Sequence, residues 1–216
     1  MTLVVGLSAK AQHGKGSTVQ LAQIWLQKGD NEVEVRQVSF ATALKTMAHD
    51  LIDGVKHPDL DLLPQHIALE LSDLGVALTH EDLYKKTPRG RKFLQYIGTE
   101  AFRKSVDDQY WVLRAAAAID ALPKTTKVVF IPDVRFLNEA EAVKAWGGEM
   151  WRLERYVNRT GETFVEPFDN GLSPEAKAHP SETALDNYTF DHVIRHDTMD
   201  SLFHAVEAEL KRLGLM

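Results

Sequence analysis

Apolar and polar positions divide the chain into alternating short buried runs and longer amphipathic stretches. Thr2 to Leu7 is a compact apolar run and predicts a buried strand. Gly16 to Lys28 carries Val19, Ala22, Ile24 and Leu26 at helical spacing and predicts a helix, closed by Lys28-Gly29-Asp30-Asn31. Val33, Val35 and Val38 predict a second strand, and Phe40 to Ile52 a second helix. Residues 54–92 show the least regular pattern and read as short helices and loops. From Phe93 to Leu122 the spacing predicts two helices parted near Val106-Asp107-Asp108.

Lys127 to Ile131 is the clearest buried strand, ended by Pro132-Asp133. A helix over Asn138 to Trp146 follows, stopped by Gly147-Gly148, and then a strand over Glu149 to Arg155. Residues 157–180 are rich in glycine, proline, asparagine and charge and read as a mobile excursion. His192 to Arg195 predicts a last strand, and Met199 to Leu213 a closing amphipathic helix. Strands alternating with helices imply an α/β fold with a parallel sheet covered on both faces.

Composition narrows this only where it excludes something. At 216 residues and 44% hydrophobic content, one domain with a sizeable core is expected. A formal charge of −6 argues against stable nucleic-acid binding. Without cysteine there is no disulfide framework and no cysteine-built zinc site. The run Leu3-Val4-Val5 is too short for a signal core, and no stretch reaches the roughly 18 apolar residues of a membrane helix. A cytoplasmic protein without membrane partners is expected.

The candidate chemistry begins at the first strand–helix junction, Val5 to Thr18, which reads VGLSAKAQHGKGST. It approximates the phosphate-loop pattern G-x-x-x-x-G-K-[ST], with Ala9 for the first glycine and Gly16 where a hydroxyl belongs. Lys10, His13, Gly14, Lys15, Gly16, Ser17 and Thr18 are the candidate phosphate contacts, with Lys15 as the point charge. Ala9 is tolerable there only at negative φ. The plain alternative is a glycine-containing turn with a surface lysine.

Asp133 follows an apolar strand and belongs at its carboxyl end, where open α/β sheets gather ligands. With Ser17 it could hold Mg²⁺ through water, and Arg135 could present a fork to phosphate. The plain reading of Asp133-Val134-Arg135 is a turn with a local ion pair. Five basic residues fall between Lys85 and Lys92, which is also what a solvated loop looks like. Gly98, Thr99 and Glu100 lie between Lys92 and Arg103 and offer polar groups to an acceptor. Tyr110 and Trp111 could stack on a base, although such a pair is more often core.

Taken together, these segments resemble one family. They are the loop AKAQHGKGST, Phe40-Ala41 with Leu44-Lys45, Arg91 to Arg103 (RKFLQYIGTEAFR), Val128 to Ala142 (VVFIPDVRFLNEAEA) with GGEMWRLER, and His179 to Glu182 (HPSE). In order along nearly the whole chain, they resemble the bacteriophage deoxynucleoside monophosphate kinases, a branch of the P-loop nucleotide kinases. The resemblance implies a P-loop nucleotide kinase fold: a five-stranded parallel sheet with helices on both faces, an acceptor-side insertion at about 54–92 and a lid at about 157–187. The core of that single domain would comprise residues 1–53, 93–156 and 188–216.

It further implies Mg²⁺-dependent transfer of the γ-phosphoryl group of ATP to a deoxynucleoside monophosphate, in the host cytoplasm if phage-encoded. By that resemblance Lys15, Arg91, Arg103, Asp133 and Arg135 are catalytic. Phe40, Lys45, Arg91, Lys92, Gly98, Thr99, Glu100, Arg103, Trp111, Asp133, Arg135 and Glu139 would contact substrate. Arg155, Arg159, His179, Ser181 and Glu182 would belong to the lid, with Ser181 also a candidate helix cap. The chain departs from the family pattern at Ala9 and Gln12, usually glycine, and at Gly16, usually acidic or hydroxyl-bearing, although adenylate-kinase-like enzymes also carry G-K-G before a hydroxyl residue. Related kinases often pair, and the helix around Ala115 to Ile119 is apolar enough for a homodimer contact. Two alternatives stand beside this reading: the same fold with another acceptor, such as a modified DNA base or a coenzyme precursor, and a nucleotide-binding module without catalysis.

Overall fold

The structure, a computed structural model, describes residues 2–27, 33–85, 87–157 and 166–216. It divides into two compact units, one formed by Met1–Ser39 with Ile119–Met216 and the other by Phe40–Ala118. The second unit takes in residues 40–53 and 93–118 as well as the 54–92 stretch.

The first unit is built on a parallel sheet. Its strands are β1 (Leu3–Ser8), β2 (Val35–Gln37), β3 (Val128–Ile131), β4 (Glu149–Val157) and, after a two-residue β5 (Glu166–Pro167), β6 (His192–His196). β2, β3, β1, β4 and β6 lie side by side in that order, all parallel, while β5 pairs antiparallel with the end of β4. Register sets Leu3 beside Val128 and Ser8 beside Arg152. All four residues of β3 are buried, as a central strand covered on both faces requires.

Alternation along each strand splits the core between the two faces. Val5, Leu7, Val128, Phe130, Trp151 and Leu153 face α1 (Lys15–Leu26) and α10 (Met199–Arg212), burying Val19, Ala22, Leu202 and Val206. Gly6 and Met150 face the other way, toward α7 (Leu137–Ala145), and a methyl group on Gly6 would fall 3.1 Å from Val143. The helices following β1 and β3 therefore cover opposite faces, so these neighbouring strands form a topological switch point. Ligands of open α/β sheets bind at the carboxyl edge of such a point.

The second unit is helical. It holds α2 (Ala41–Ile52), a 3-10 turn at Pro58–Leu62, α3 (Gln65–Val76), α4 (His80–Tyr84), α5 (Pro88–Gln95), a π-helical turn at Tyr96–Arg103, and most of α6 (Tyr110–Asp120). Its core includes Met47, Leu51, Leu71, Phe93, Ile97, Phe102 and Trp111. Two expectations change here. The irregular 54–92 stretch contains a full twelve-residue helix, α3. The helix expected from Phe93 starts at Pro88, capped by the Thr87 hydroxyl on the Gly90 amide, and widens into the π-helical turn.

The excursion expected at 157–180 contains α8 (Pro174–Ala178), capped by Ser173, and is followed by α9 (Pro180–Thr183). Residues 158–165, with Arg159, lie outside the described residues, as do 28–32 and Lys86. Among the described residues no helix is long and apolar enough to cross a membrane.

Candidate functional site

The loop from Ala9 to Gly14 leaves the carboxyl end of β1 and turns directly into α1. Two of its residues take left-handed backbone: Gly14 at φ 89° and Gln12 at φ 65°. At Gly14 glycine is required twice over, because any Cβ would also sit 3.2 Å from the His196 ring. Ala9 is outside the left-handed region, so its Cβ costs nothing there. The burden falls instead on Gln12, where a side chain stands at positive φ. Gln12 Nε2 donates to the Asn170 carbonyl at 3.3 Å, a modest return for that geometry. Replacing Gln12 by glycine should raise the unfolding free energy by about 0.5–1 kcal/mol. A urea titration showing lower stability would instead credit the contact with Asn170.

Lys15 opens α1, and its ammonium lies back along the loop, donating to the carbonyls of Ala9 (2.6 Å) and Lys10 (3.1 Å). Burial, reinforced by the Arg135 guanidinium, lowers its pKa to about 7. A cation this poorly solvated is poised to gain from an anion. A methyl group on Gly16 would meet nothing within 4 Å, so space does not explain the missing side chain there. Thr18 is fully buried and its hydroxyl donates to the Gly14 carbonyl at 3.0 Å, which turns it away from phosphate binding. Ser17, partly exposed, is the hydroxyl left at the helix start.

His13 does not present its imidazole as a free donor. Its Nδ1 accepts from the Arg155 amide at 3.0 Å, and its ring meets Phe168 edge-on. Its own carbonyl accepts from His196 Nε2 at 3.1 Å. Burial lowers His13 to about 4 and lowers His196 as well. Both are therefore neutral in the native protein at neutral pH. As pH falls below the ordinary histidine value of 6.5, the unfolded chain takes up protons that the folded chain refuses, so stability should drop toward pH 4. Urea midpoints at pH 7 and 5 should differ, and His13→Gln should narrow the difference; an unchanged difference would remove His13 from this role.

Around the loop stand residues from four further segments. Asp133, just past β3, accepts from the Ser39 hydroxyl at 2.6 Å at the end of β2. Arg135 donates Nη1 to the Ser181 carbonyl at 3.1 Å and to the Glu182 carboxylate. Arg152 on β4 donates to Ser8 Oγ at 3.1 Å, with its guanidinium 5.5 Å from the Phe190 ring. Lys10 donates to the Glu182 carbonyl and to Asp186 at 2.6 Å. Lys10, Lys15, Arg135 and Arg152 thus gather at one edge of the sheet. Ser39, Asp186 and His196 have no motif to announce them, and Arg152 is not singled out within GGEMWRLER; the strands carry Ser39, Arg152 and His196 here, and the turn after α9 carries Asp186.

Glu139 is buried, and its carboxylate accepts the amides of Arg135 (2.7 Å) and Phe136 (3.1 Å). It caps α7 and fixes the backbone that carries Arg135. His179, not Ser181, caps α9: its Nδ1 accepts the Ser181 amide at 3.2 Å, because Pro180 takes the first helical position.

An open pocket of about 350 Å³ lies beyond the loop, lined by Arg155, Tyr156, Val157, Phe168, Asp197 and Thr198. The Arg155 guanidinium lies 4.1 Å from the Phe168 ring centroid, making one wall a flat cation–π stack.

In the second unit, Arg91, Lys92, Lys45 and Glu100 are exposed, while Thr99 and Arg103 are half-buried. Glu100 pairs with Lys104 at 2.7 Å, and Arg103 donates to the Asp108 carbonyl at 3.0 Å. Phe40 and Gly98 are buried. Trp111 is 2% exposed, and its indole donates to the Gly98 carbonyl at 2.9 Å. It is a core residue, not a platform for a base, because its ring is enclosed by Phe102 and Tyr110.

Among the described residues no cluster of three or more His, Cys, Asp or Glu side chains is arranged to hold a metal. Ser17 and Asp133 supply oxygen only, the donor type Mg²⁺ takes when substrate phosphates and water complete its shell. Comparison with family models and with curated proteins finds no match for this sequence.

Proposed function

We propose that the protein transfers the γ-phosphoryl group of ATP to a deoxynucleoside 5′-monophosphate, on a P-loop nucleotide kinase fold. The observation that carries the reading is the loop between β1 and α1. It lies at the switch point of a sheet ordered β2-β3-β1-β4-β6, with Lys15 half-buried and Lys10, Arg135 and Arg152 around it. Loop amides and the start of α1 suit phosphate oxygens. The arginines can spread charge over a phosphoryl group in flight.

In this reaction an acceptor phosphate oxygen forms the new bond to the γ-phosphorus as the bond to the β-bridging oxygen breaks, leaving ADP. The acceptor is already anionic, so no general base is needed, and the cap on α9 leaves His179 no such part. Ser17 and Asp133 would hold Mg²⁺, which neutralises phosphate charge when bound. The pocket at Arg155, Phe168 and Asp197 offers a flat cationic wall suited to the donor's base. The resemblance assigns the acceptor to Arg91, Lys92 and Arg103, all in the second unit.

The test is incubation with Mg-ATP and each common ribo- and deoxynucleoside monophosphate in turn. At least one deoxynucleoside monophosphate should become a diphosphate. ATP bound but never turned over would favour a plain nucleotide-binding module, and phosphorylation of a different class of molecule would move the acceptor.

A further inference from the structure

One short segment pairs directly with three of the four cations at the loop. From α9 and the turn after it, the Ser181 carbonyl and Glu182 carboxylate take Arg135, and the Glu182 carbonyl and Asp186 take Lys10. Asp186 also lies 3.5 Å from Arg152. The pairs are not equivalent. Asp186 is 42% exposed, so its pairs are screened by water and worth little. The Glu182 side chain is only 10% exposed, and a carboxylate is not buried among cations without consequence.

A carboxylate here could do either of two things. It could occupy the arginine in place of phosphate, or it could aim the arginine at phosphate. The geometry distinguishes them. Glu182 and Ser181 both engage Nη1, and among the described residues Nε and Nη2 have no hydrogen-bond partner. The Nε/Nη2 edge is one of those through which guanidinium binds two anion oxygens side by side. At the other end of the side chain, Glu139 holds the Arg135 amide, so backbone and fork are both fixed.

We propose that Glu182 is a positioning residue, clamping Nη1 of Arg135 so that its Nε/Nη2 edge is held ready for a phosphate group. This rests on the phosphotransfer reading for its role in turnover, but the clamp itself can be observed without turnover. A fixed guanidinium rotates slowly about its Cζ–Nε bond and shows distinct Nη1 and Nη2 signals by nitrogen NMR. Arg135→Lys identifies the Arg135 signals in the full chain.

In the parent protein Nη1 and Nη2 should be resolved, and in Glu182→Gln they should merge. Adding sodium tripolyphosphate to the parent should shift Nε and Nη2 while the Glu182 carboxyl carbon stays put. With Mg-ATP and a productive acceptor, Glu182→Gln should lower kcat at least about tenfold, leaving KM for ATP within about threefold. Glu182→Asp, which keeps the charge, should recover part of that loss.

Unmerged signals in Glu182→Gln would overturn the proposal. So would a Glu182 carboxyl carbon moved by tripolyphosphate to its solvated position, since the carboxylate would then be a competitor. A variant turning over as fast as the parent would also overturn it. The tripolyphosphate titration needs no variant, so it decides even if Glu182→Gln does not fold. A parent with no turnover would defeat the kinase reading alone, and the NMR results would still decide the clamp.

Discussion

Lys15→Ala should reduce phosphoryl transfer by roughly a hundred- to a thousandfold, the loss expected on removing one strong electrostatic contact to a transition state. The protein should remain folded. Among the described residues the Lys15 ammonium is bound only to the carbonyls of Ala9 and Lys10, and burial beside Arg135 and Arg152 already disfavours its charge. Deleting it relieves that penalty, so the thermal midpoint should stay within a few degrees of the parent or rise. Turnover within tenfold of the parent, in a folded variant, would remove Lys15 from the mechanism.

The same burial gives a pH signature. The folded pKa of Lys15, about 7, lies below its ordinary value of 10.5, so between these values the folded state holds fewer protons than the unfolded one. The contribution of this one group to stability therefore rises with pH across that window. Phosphate binding runs the other way, because an anion draws the proton back. Affinity for tripolyphosphate should fall above pH 7, by at most about tenfold per pH unit from this group. Lys15→Ala should flatten that dependence.

Trp111→Ala should destabilise the protein by about 3–5 kcal/mol, the range for removing a buried large aromatic. Trp111 is enclosed with Phe102 and Tyr110, and its indole N–H satisfies the carbonyl of Gly98 inside the π-helical turn. The substitution leaves a cavity and removes the indole's hydrogen bond to that carbonyl. Urea unfolding measures the loss directly. Unchanged stability with a raised KM for the acceptor would return Trp111 to the base-stacking role that its sequence allowed.

Trp111 also shows where sequence reading stops. An aromatic at a helix start has the same local pattern whether it packs or stacks, and only the third dimension decides. β1 and β3 were legible because strands covered on both faces are continuous apolar runs. The loop was legible because Gly14-Lys15 between strand and helix has few other uses. α3 was not legible, because Leu69, Leu74 and Val76 are exposed on it while its buried contacts include Gly75, packed against Leu51. Ile67, Ala68 and Leu71 do face the core, but the exposed Leu69, Leu74 and Val76 blur that stripe in the sequence.

The candidate site divides the same way. Lys15, Asp133 and Arg135 carry motif signals, and the fold sets them on one edge of one sheet. Ser39 carries none and Arg152 is not singled out within its segment, since Arg152 reaches Ser8 only through the β1–β4 register and Ser39 reaches Asp133 through β2 and β3. The loop's departures from pattern were visible, but their cost was not. Ala9 proved unstrained and Gln12 left-handed, a distinction held in backbone angles.

The most direct test of phosphotransfer is product stoichiometry, read by phosphorus NMR on a mixture of the protein, Mg-ATP and the deoxynucleoside monophosphates. A nucleoside diphosphate should appear mole for mole with ADP, without inorganic phosphate. ADP accompanied only by inorganic phosphate would contradict the proposed function.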